Sequence, residues 1–196
     1  MSALAVEPEP DDGHGWNDLV RLWEETGAPE GCKVEIIEGI VTVAPGPANQ
    51  HNSIANRLQR RLYAGIAEDW GIYQTLAVAV PSRSGMFIPD LVVAPEAALH
   101  EPGNYIPATA AELVVEITSK SNANHDRVEK LHGYATAAVP LYLLLDSRHS
   151  GRPTATLYGE PRNGTYRVLS AVKFGEEIYL PAPFDLALDT SAFPVG

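Results

Sequence analysis

The stretch that decides the fold runs from Phe87 to Asp146. It contains FIPDLVVA (87–94), ELVVEITSKS (112–121), a polar segment with DRVEK (126–130), and PLYLLLD (140–146). Two of its hydrophobic runs carry a single carboxylate each, Asp90 and Glu116. Charged groups are rarely buried unless they are paired or bound to a metal. These two acids are therefore the first candidates for a functional site.

The middle of this stretch predicts a strand, a helix and a second strand. Residues 112–119 are rich in β-branched side chains, and residues 121–139 repeat apolar residues at helical spacing. Alternation along the first strand places Glu116 on one face and Val115 and Ile117 on the other. The run 140–146 is almost continuously apolar, which is typical of a buried central strand.

The predicted helix carries two stripes of side chains. Asp126, Lys130 and Tyr134 follow one another at i, i+4 and i+8. The aliphatic stripe beside them consists of Val128, Leu131, Ala135 and Ala138. We expect the aliphatic stripe to pack on the sheet while Lys130 reaches along the boundary toward Glu116. A divalent cation bound by Asp90 and Glu116, with a lysine beside it, provides the groups that phosphodiester hydrolysis needs.

The same residues have simpler interpretations. Asp126 and Lys130 can form a surface ion pair at i, i+4, and Asp90 after Pro89 can be a residue that merely begins a strand. Glycosidases also use a pair of carboxylates for catalysis, but glycoside hydrolysis does not require a lysine such as Lys130. A Ser-His-Asp hydrolase is poorly supported, because Ser119 lies outside any G-x-S-x-G turn.

Elements on either side extend the predicted sheet. Further helices are predicted at residues 16–25, 50–69 and 181–193. Further strands are predicted at 71–81, 86–94, 154–159, 165–172 and 176–180, together with a hairpin at 33–44 that turns at Glu38-Gly39. Residues 95–111 are expected to form a surface loop. This order favours an α/β fold with a mixed β-sheet flanked by α-helices and an antiparallel C-terminal β extension.

Composition narrows the class of protein. Residues 1–15 are rich in Pro, Asp and Glu and predict a flexible acidic tail, and residues 16–196 fit a single domain. No apolar run approaches 18 residues, and the N-terminal residues do not have the pattern of a signal peptide, so neither a membrane span nor secretion is expected. Cys32 is the only cysteine, which excludes an intrachain disulfide and agrees with a reducing cytoplasm.

The net charge of −11 argues against tight non-specific binding to nucleic acid. Most of the acidity lies in residues 1–40, which hold ten acids against Arg21 and Lys33, a net of −8; the remaining residues have a net of −3. The arginines of the helix 50–69 are interpreted as a solvated surface, and its first-turn histidine, His51, as a capping or packing residue. No helix-turn-helix, zinc finger or basic arm is visible.

The order PDLVVA, LVVEITS, DRVEKLHGYA, VPLYLLLD resembles the Uma-two family, which is classed with restriction endonucleases in the PD-(D/E)XK nuclease superfamily. The resemblance is clear over residues 33–146 and includes the hairpin VEIIEGIV and the loop before His51. It implies a restriction-endonuclease-like fold, DNA as the substrate, Mg²⁺ or Mn²⁺ as the cofactor, and Asp90 and Glu116 as the metal-binding acids. Nucleases that cut both strands often pair their sites, so the resemblance also implies a homodimer.

One departure from the superfamily pattern concerns its lysine. The pattern places a lysine two residues after the second acid, where this chain has Thr118. The resemblance implies that the lysine has moved to the next helix, as Lys130, with Lys120 as its rival. It also implies Glu35 as an outer acid and His51 as a contact to water or phosphate. The alternative function is a catalytically inactive nuclease fold that acts as a binding module through its acidic N-terminal segment.

Overall fold

The computed structural model describes residues 14–118, 123–147 and 152–194. Its longer helices are α1 (His14–Glu25), α2 (Asn49–Leu62) and α3, which runs from residue 123 to residue 136 with a π-helical turn at Asp126–Lys130. The strands are β1 (Lys33–Ile37), β2 (Ile40–Ala44), β3 (Trp70–Tyr73), β4 (Ala77–Val80), β5 (Gly85–Phe87), β6 (Leu91–Pro95), β7 (Tyr105–Pro107), β8 (Leu113–Ile117), β9 (Leu141–Asp146), β10 (Thr154–Arg162), β11 (Thr165–Lys173), β12 (Glu177–Leu180) and β13 (Leu186–Asp189).

The larger sheet contains the unit that the sequence predicted. In the described ranges its order is β11-β10-β9-β8-β6-β3, and only β8 and β9 run parallel. The helix α3 connects these two parallel strands. Every residue of β9 is buried, as expected for an apolar run in the middle of a sheet.

The strands of the smaller sheet alternate along the chain with β3 and β6 of the larger sheet. Its order is β2-β1-β5-β4-β7 within the part of the chain that the structure describes. The hairpin β1–β2 turns where predicted, because Glu38 and Gly39 both adopt positive φ angles, of 48° and 81°. The strand β7 pairs with β4, so the expected surface loop 95–111 contains one short strand.

Two runs that the sequence predicted as single strands are each divided between the sheets. The run 86–94 separates into β5, which pairs with β1 and β4, and β6, which pairs with β3 and β8. Pro89 lies between them, and a proline cannot donate to a strand ladder. The run 71–81 separates in the same way into β3 and β4. Asp90, directly after Pro89, therefore lies at the junction of the two sheets.

Three other predictions were wrong, one about the type of an element and two about where a helix begins or ends. Residues 181–193 were expected to form a helix, but they contain β13, which pairs with β12. The buried Leu188 pairs with the buried Ile178. The segment therefore forms a strand that buries alternate residues, although the spacing of its apolar residues predicted a helix. The predicted helix 50–69 ends at Leu62, and α1 begins at His14, inside the expected tail.

The two faces of β8 are buried by different groups. Leu113, Val115 and Ile117 belong to one core cluster, into which α2 packs Ile54 and Leu58. The other face belongs to a second cluster, whose members include Val114, Phe87, Tyr134 and Leu144. The predicted alternation is confirmed, and it directs Glu116 toward the face that α3 covers.

A close approach of α3 to the sheet depends on Gly133. A Cβ atom at this position would lie 2.5 Å from the ring of Phe87, which is too close for any real side chain. The Phe87 ring meets the Tyr134 ring edge to face, with 5.3 Å between ring centroids. This contact fixes the helix so that Lys130, one turn earlier, points into the protein.

No helix in the described ranges has the length and apolar character that crossing a membrane requires.

Candidate functional site

The structure brings together all five side chains that the sequence singled out. They come from five different segments: Glu35 from β1, His51 from α2, Asp90 from the junction between β5 and β6, Glu116 from β8 and Lys130 from α3. The pairing of Leu91 with Val115 continues to Asp90, whose N–H donates to the Val115 carbonyl at 3.0 Å. Asp90 and Glu116 are therefore neighbours across one pair of strands.

Asp90 is surrounded by hydrogen-bond donors. Its Oδ1 lies 2.5 Å from Lys33 Nζ, and its Oδ2 lies 2.9 Å from His51 Nε2 and accepts from the Ile117 N–H at 2.7 Å. We refer to Lys33, His51 and Asp90 as the outer cluster. Burial opposes ionisation of Asp90, but the hydrogen bond with His51 and the charge of Lys33 lower its pKa to about 2. Asp90 is therefore an anion at neutral pH.

Glu116 has a different environment. Its Oε1 accepts hydrogen bonds from Lys130 Nζ at 3.1 Å and from the Tyr134 hydroxyl at 2.9 Å. Its Oε2 is buried and has no hydrogen-bond partner among the described residues. Burial, with the negative charges of Asp126 and Asp90, raises the pKa of Glu116 well above its usual value, against the opposing effect of Lys130.

Lys130 lies at the centre of three carboxylates. Its Nζ is 2.8 Å from Glu35 Oε1, 3.1 Å from Glu116 Oε1 and 3.4 Å from Asp126 Oδ1. We refer to Glu35, Glu116, Asp126 and Lys130 as the inner cluster. Burial lowers the pKa of Lys130, but the charges of these carboxylates outweigh it and raise the pKa well above its usual value. The ammonium therefore stays charged although it is 1% exposed.

The inner cluster has more carboxylates than cations. Both oxygens of Asp126 are buried without a hydrogen-bond partner within the described ranges, although Lys130 is in ion-pair range. Burial and the nearby charges of Asp90 and Glu35 raise the pKa of Asp126 to about 7, and Lys130 opposes them. A cluster with excess buried negative charge is expected to take up a proton or a further cation.

The orientation of α3 differs from the one predicted. Asp126, Lys130 and Tyr134 were expected along the boundary of the sheet, but all three are fully buried, whereas Val128 is 54% exposed. Ala138 is also exposed. The three carboxylates compensate the buried lysine, and the π-helical turn changes the angular spacing of the residues that precede Tyr134. The simpler interpretation of Asp126 and Lys130 as a surface ion pair is therefore wrong.

Thr118, which occupies the usual position of the superfamily lysine, contacts a different group. Its hydroxyl donates to Asp146 Oδ1 at 3.0 Å, and Arg127 binds the same carboxylate through two N–H groups at 2.7 and 2.9 Å. Thr118 therefore connects β8 to β9 rather than contributing a cation. Lys120, the rival of Lys130, lies outside the described residues.

The sequence analysis missed Lys33 and gave no role to Tyr134. Lys33 donates to Asp90 and, at 3.0 Å, to the carbonyl of Ile88. The N–H of the same Ile88 donates to Glu35 Oε1 at 2.7 Å. Lys33 and Glu35 are two residues apart on β1, so strand alternation alone could have placed both on one face. What the sequence could not show is that β1 lies beside β5.

A cavity of about 160 Å³ leads to the outer cluster. Its lining includes Lys33, His51, Asp90, Asn52 and Gln74. The inner cluster does not line it. Solvent or a ligand therefore meets Asp90 first, while Glu116 and Lys130 lie behind it.

The donor chemistry of the site fits a hard divalent cation. No group of three His, Cys, Asp or Glu side chains is arranged to hold a metal ion in the part of the chain that the structure describes. Mg²⁺, however, is usually held by one or two carboxylates, with water and substrate phosphates as its other ligands. The ionised Asp90 and the unpartnered Oε2 of Glu116 provide such a pair.

Comparison with solved structures defines the class of protein. The chain is similar to "a putative nuclease belonging to DUF820" from Anabaena variabilis, with a TM-score of 0.66 and 16% sequence identity over 91% of this chain and 96% of that one. At this identity the similarity shows the fold, which is a nuclease-like α/β fold.

The family follows from the sequence. The model of the family described as "Uma2: Putative restriction endonuclease" matches residues 16–191, so the chain belongs to this family. The predicted family is thus confirmed, and family and fold together indicate a nuclease. No protein with a curated description is significantly similar in sequence.

Proposed function

We propose that this protein is an endonuclease that hydrolyses DNA phosphodiester bonds with Mg²⁺ or Mn²⁺. The observation that carries the proposal is the pair formed by Asp90 and Glu116, which are adjacent on two strands. Asp90 is ionised and lines a cavity, and one buried oxygen of Glu116 has no donor among the described residues. Restriction-endonuclease-like proteins generally use divalent metals, which agrees with this donor set.

Asp90 and Glu116 would hold the cation. When bound, a divalent metal polarises a phosphate and lowers the pKa of water, which is the chemistry that phosphodiester hydrolysis needs. The charge of the cation would also stabilise Glu116 as an anion, because its buried carboxylate otherwise favours the protonated form.

The surrounding side chains hold the two acids in place. Lys130 and Tyr134 fix Glu116 through Oε1, and no described residue forms a hydrogen bond with Oε2. His51 contacts Asp90 through Nε2, and its Nδ1 has no hydrogen-bond partner among the described residues. In this proposal the free Nδ1 serves a water molecule or a phosphate oxygen at the cavity. Glu35, which the resemblance implied as an outer acid, belongs to the inner cluster and keeps Lys130 beside Glu116.

A second candidate is a nuclease fold that binds DNA or a partner without cleaving. The observation that favours it is the arrangement of Lys130, whose ammonium already occupies the centre of three carboxylates. In that function the lysine would replace the metal as the stabilising cation. Such a protein would bind neither Mg²⁺ nor Mn²⁺.

Nicking of supercoiled plasmid tests the proposal. The wild-type protein should nick in Mg²⁺ or Mn²⁺ and stop in EDTA, and Glu116→Gln and Asp90→Asn should each lower the rate at least about a hundredfold. Glu177→Gln, at an exposed position on β12, is the matched control and should nick like the wild type. Nicking that survives in both site variants would overturn the proposal, as would no cleavage of duplex or single-stranded DNA by the wild type.

We also propose a homodimer and a cytoplasmic location. Two copies would supply one site for each DNA strand, and a free Cys32 is compatible with a reducing compartment. Sedimentation equilibrium with and without a DNA duplex tests the dimer. A single species of 21.1 kDa without DNA, and one chain per duplex with DNA, would contradict the dimer.

A further inference from the structure

The two lysines of the site differ in what they can reach. Lys130 is 1% exposed, and three carboxylates surround its ammonium. A phosphate would have to displace these partners inside the core to contact it. Lys130 is therefore suited to holding Glu116 in place and poorly suited to touching a substrate.

Lys33 has the opposite properties. Its side chain is 15% exposed and lines the cavity that ends at Asp90. Among the described residues that line this cavity, Lys33 is the only lysine or arginine. The other basic group there is His51, which is charged only if protonated.

The ammonium of Lys33 also keeps bonding capacity. It has three N–H donors, of which one binds Asp90 Oδ1 and one binds the Ile88 carbonyl. The third has no acceptor among the described residues. The ammonium forms an ion pair with the Asp90 carboxylate, so it places a positive charge at the cavity.

We propose that Lys33, and not Lys130, is the catalytic lysine that contacts the phosphate of the nucleic acid at this site. The proposal rests on the proposed nuclease function and specifies its substrate contact. Lys33 lies beside Asp90, so a phosphate bound to a cation on Asp90 would lie within reach of its free N–H. Lys130 acts instead as a positioning residue for Glu116.

A purely structural role for Lys33 makes a different prediction. If the lysine only neutralised Asp90, then Lys33→Met would leave DNA binding unchanged. If Lys33 contacts phosphate, the same variant should bind DNA more weakly. Its affinity for Mn²⁺ should be unchanged or higher, because an ammonium beside Asp90 competes with a cation.

The test measures both affinities on the full-length protein. Fluorescence anisotropy with a labelled 12-base-pair duplex in Ca²⁺, under conditions in which a gel shows no cleavage, gives DNA binding with a cation at the site, and calorimetry gives Mn²⁺ binding. Lys33→Met should weaken duplex binding about tenfold or more, as the loss of a charge-assisted phosphate contact implies. Lys173→Met, which removes the same charge from an exposed position on β11, should change it less than twofold.

Two outcomes separate this proposal from the proposed function. Equal duplex binding by Lys33→Met and Lys173→Met would overturn the assignment of Lys33 and leave the nuclease proposal standing. A wild-type protein that bound no duplex would overturn both.

A measurement on the wild type avoids dependence on folding of the variant. Lysine acetylation followed by mass spectrometry should modify Lys33, and the duplex should protect it at least about threefold, since a bound phosphate covers the amine. Lys130 should stay unmodified with and without DNA because it is buried. Acetylation of Lys33 at the same rate with and without the duplex would overturn the proposal.

Discussion

Asp90 of the outer cluster and Glu116 of the inner cluster are adjacent, yet their surroundings shift their pKa values in opposite directions. Asp90 receives donors from Lys33, His51 and a backbone N–H at the end of a cavity, and its pKa falls to about 2. Glu116 is enclosed beside other carboxylates, and its pKa rises. The strand positions of the two acids bring them close together. The hydrogen-bond donors and other acids around each carboxyl group set its pKa and therefore its charge.

The largest expected effect comes from removing the cation of the inner cluster. Lys130→Met leaves three buried carboxylates without their counter-charge and should lower the free energy of unfolding by about 3–5 kcal/mol. Urea denaturation measures this change. Lys173→Met is the matched control and should stay within about 0.5 kcal/mol of the wild type. Equal stability of Lys130→Met and the control would contradict the inner cluster as described.

The next effect compares the two acids directly. Asp90→Asn should lower the free energy of unfolding by about 2 kcal/mol at pH 7, because an ionised group loses charge-assisted hydrogen bonds from Lys33 and His51. Glu116→Gln should cost less than about 1 kcal/mol or stabilise, since its native environment favours an uncharged side chain. Denaturation in EDTA measures both variants. If Glu116→Gln proved the more destabilising of the two, the contrast between the clusters would be wrong.

A pH dependence sharpens the same contrast. The pKa of Asp126 is raised from 3.8 to about 7, so the native carboxyl binds a proton more tightly than the unfolded one. Its contribution to stability is complete below pH 3.8 and is lost as the pH rises through about 7. Asp126→Asn should remove this loss, so the variant gains stability relative to the wild type between pH 5 and pH 8. An unchanged difference between the two proteins over this range would contradict a raised pKa.

The smallest effect concerns one hydrogen bond to Glu116. Tyr134→Phe removes the hydroxyl that donates to Glu116 Oε1 and should cost about 1 kcal/mol of stability. Tyr166→Phe, which removes a hydroxyl that donates to the Val139 carbonyl, is the matched control with a similar cost. Only Tyr134→Phe should also slow plasmid nicking. Equal nicking rates in the two variants would show that Tyr134 does not position Glu116 for catalysis.

Much of the centre of the fold could be predicted from local patterns. The alternation around Glu116, the buried run of β9 and the helix between them depend on spacing within one short segment, and all are confirmed. Asp90 and Glu116 were recognisable because a charged side chain inside an apolar run is rarely buried unless it is paired or bound to a metal. Helical spacing pointed to Lys130, and the family resemblance added Glu35 and His51. The structure brings these side chains to the same place, and their roles remain predictions.

What the sequence could not show depends on contacts between distant segments. Pro89 divides one apolar run between two sheets, and nothing in the run states which partners each half will find. Lys33 enters the site only because β1 pairs with β5. The inward rotation of Lys130 depends on three carboxylates, one of them on β1, and on a π-helical turn that helical spacing does not reveal. Similarly, β13 was mistaken for a helix because its partner β12 lies outside the segment.

A crystal soaked in Mn²⁺ and measured at a wavelength with strong anomalous scattering tests the central claim most directly. The account predicts an anomalous peak bound by the carboxylates of Asp90 and Glu116, with the free Oε2 of Glu116 among its ligands. The same soak of the Glu116→Gln variant should give no peak there. A wild-type crystal with no peak between these two acids, and Lys130 still centred among its three carboxylates, would contradict a metal-dependent nuclease site.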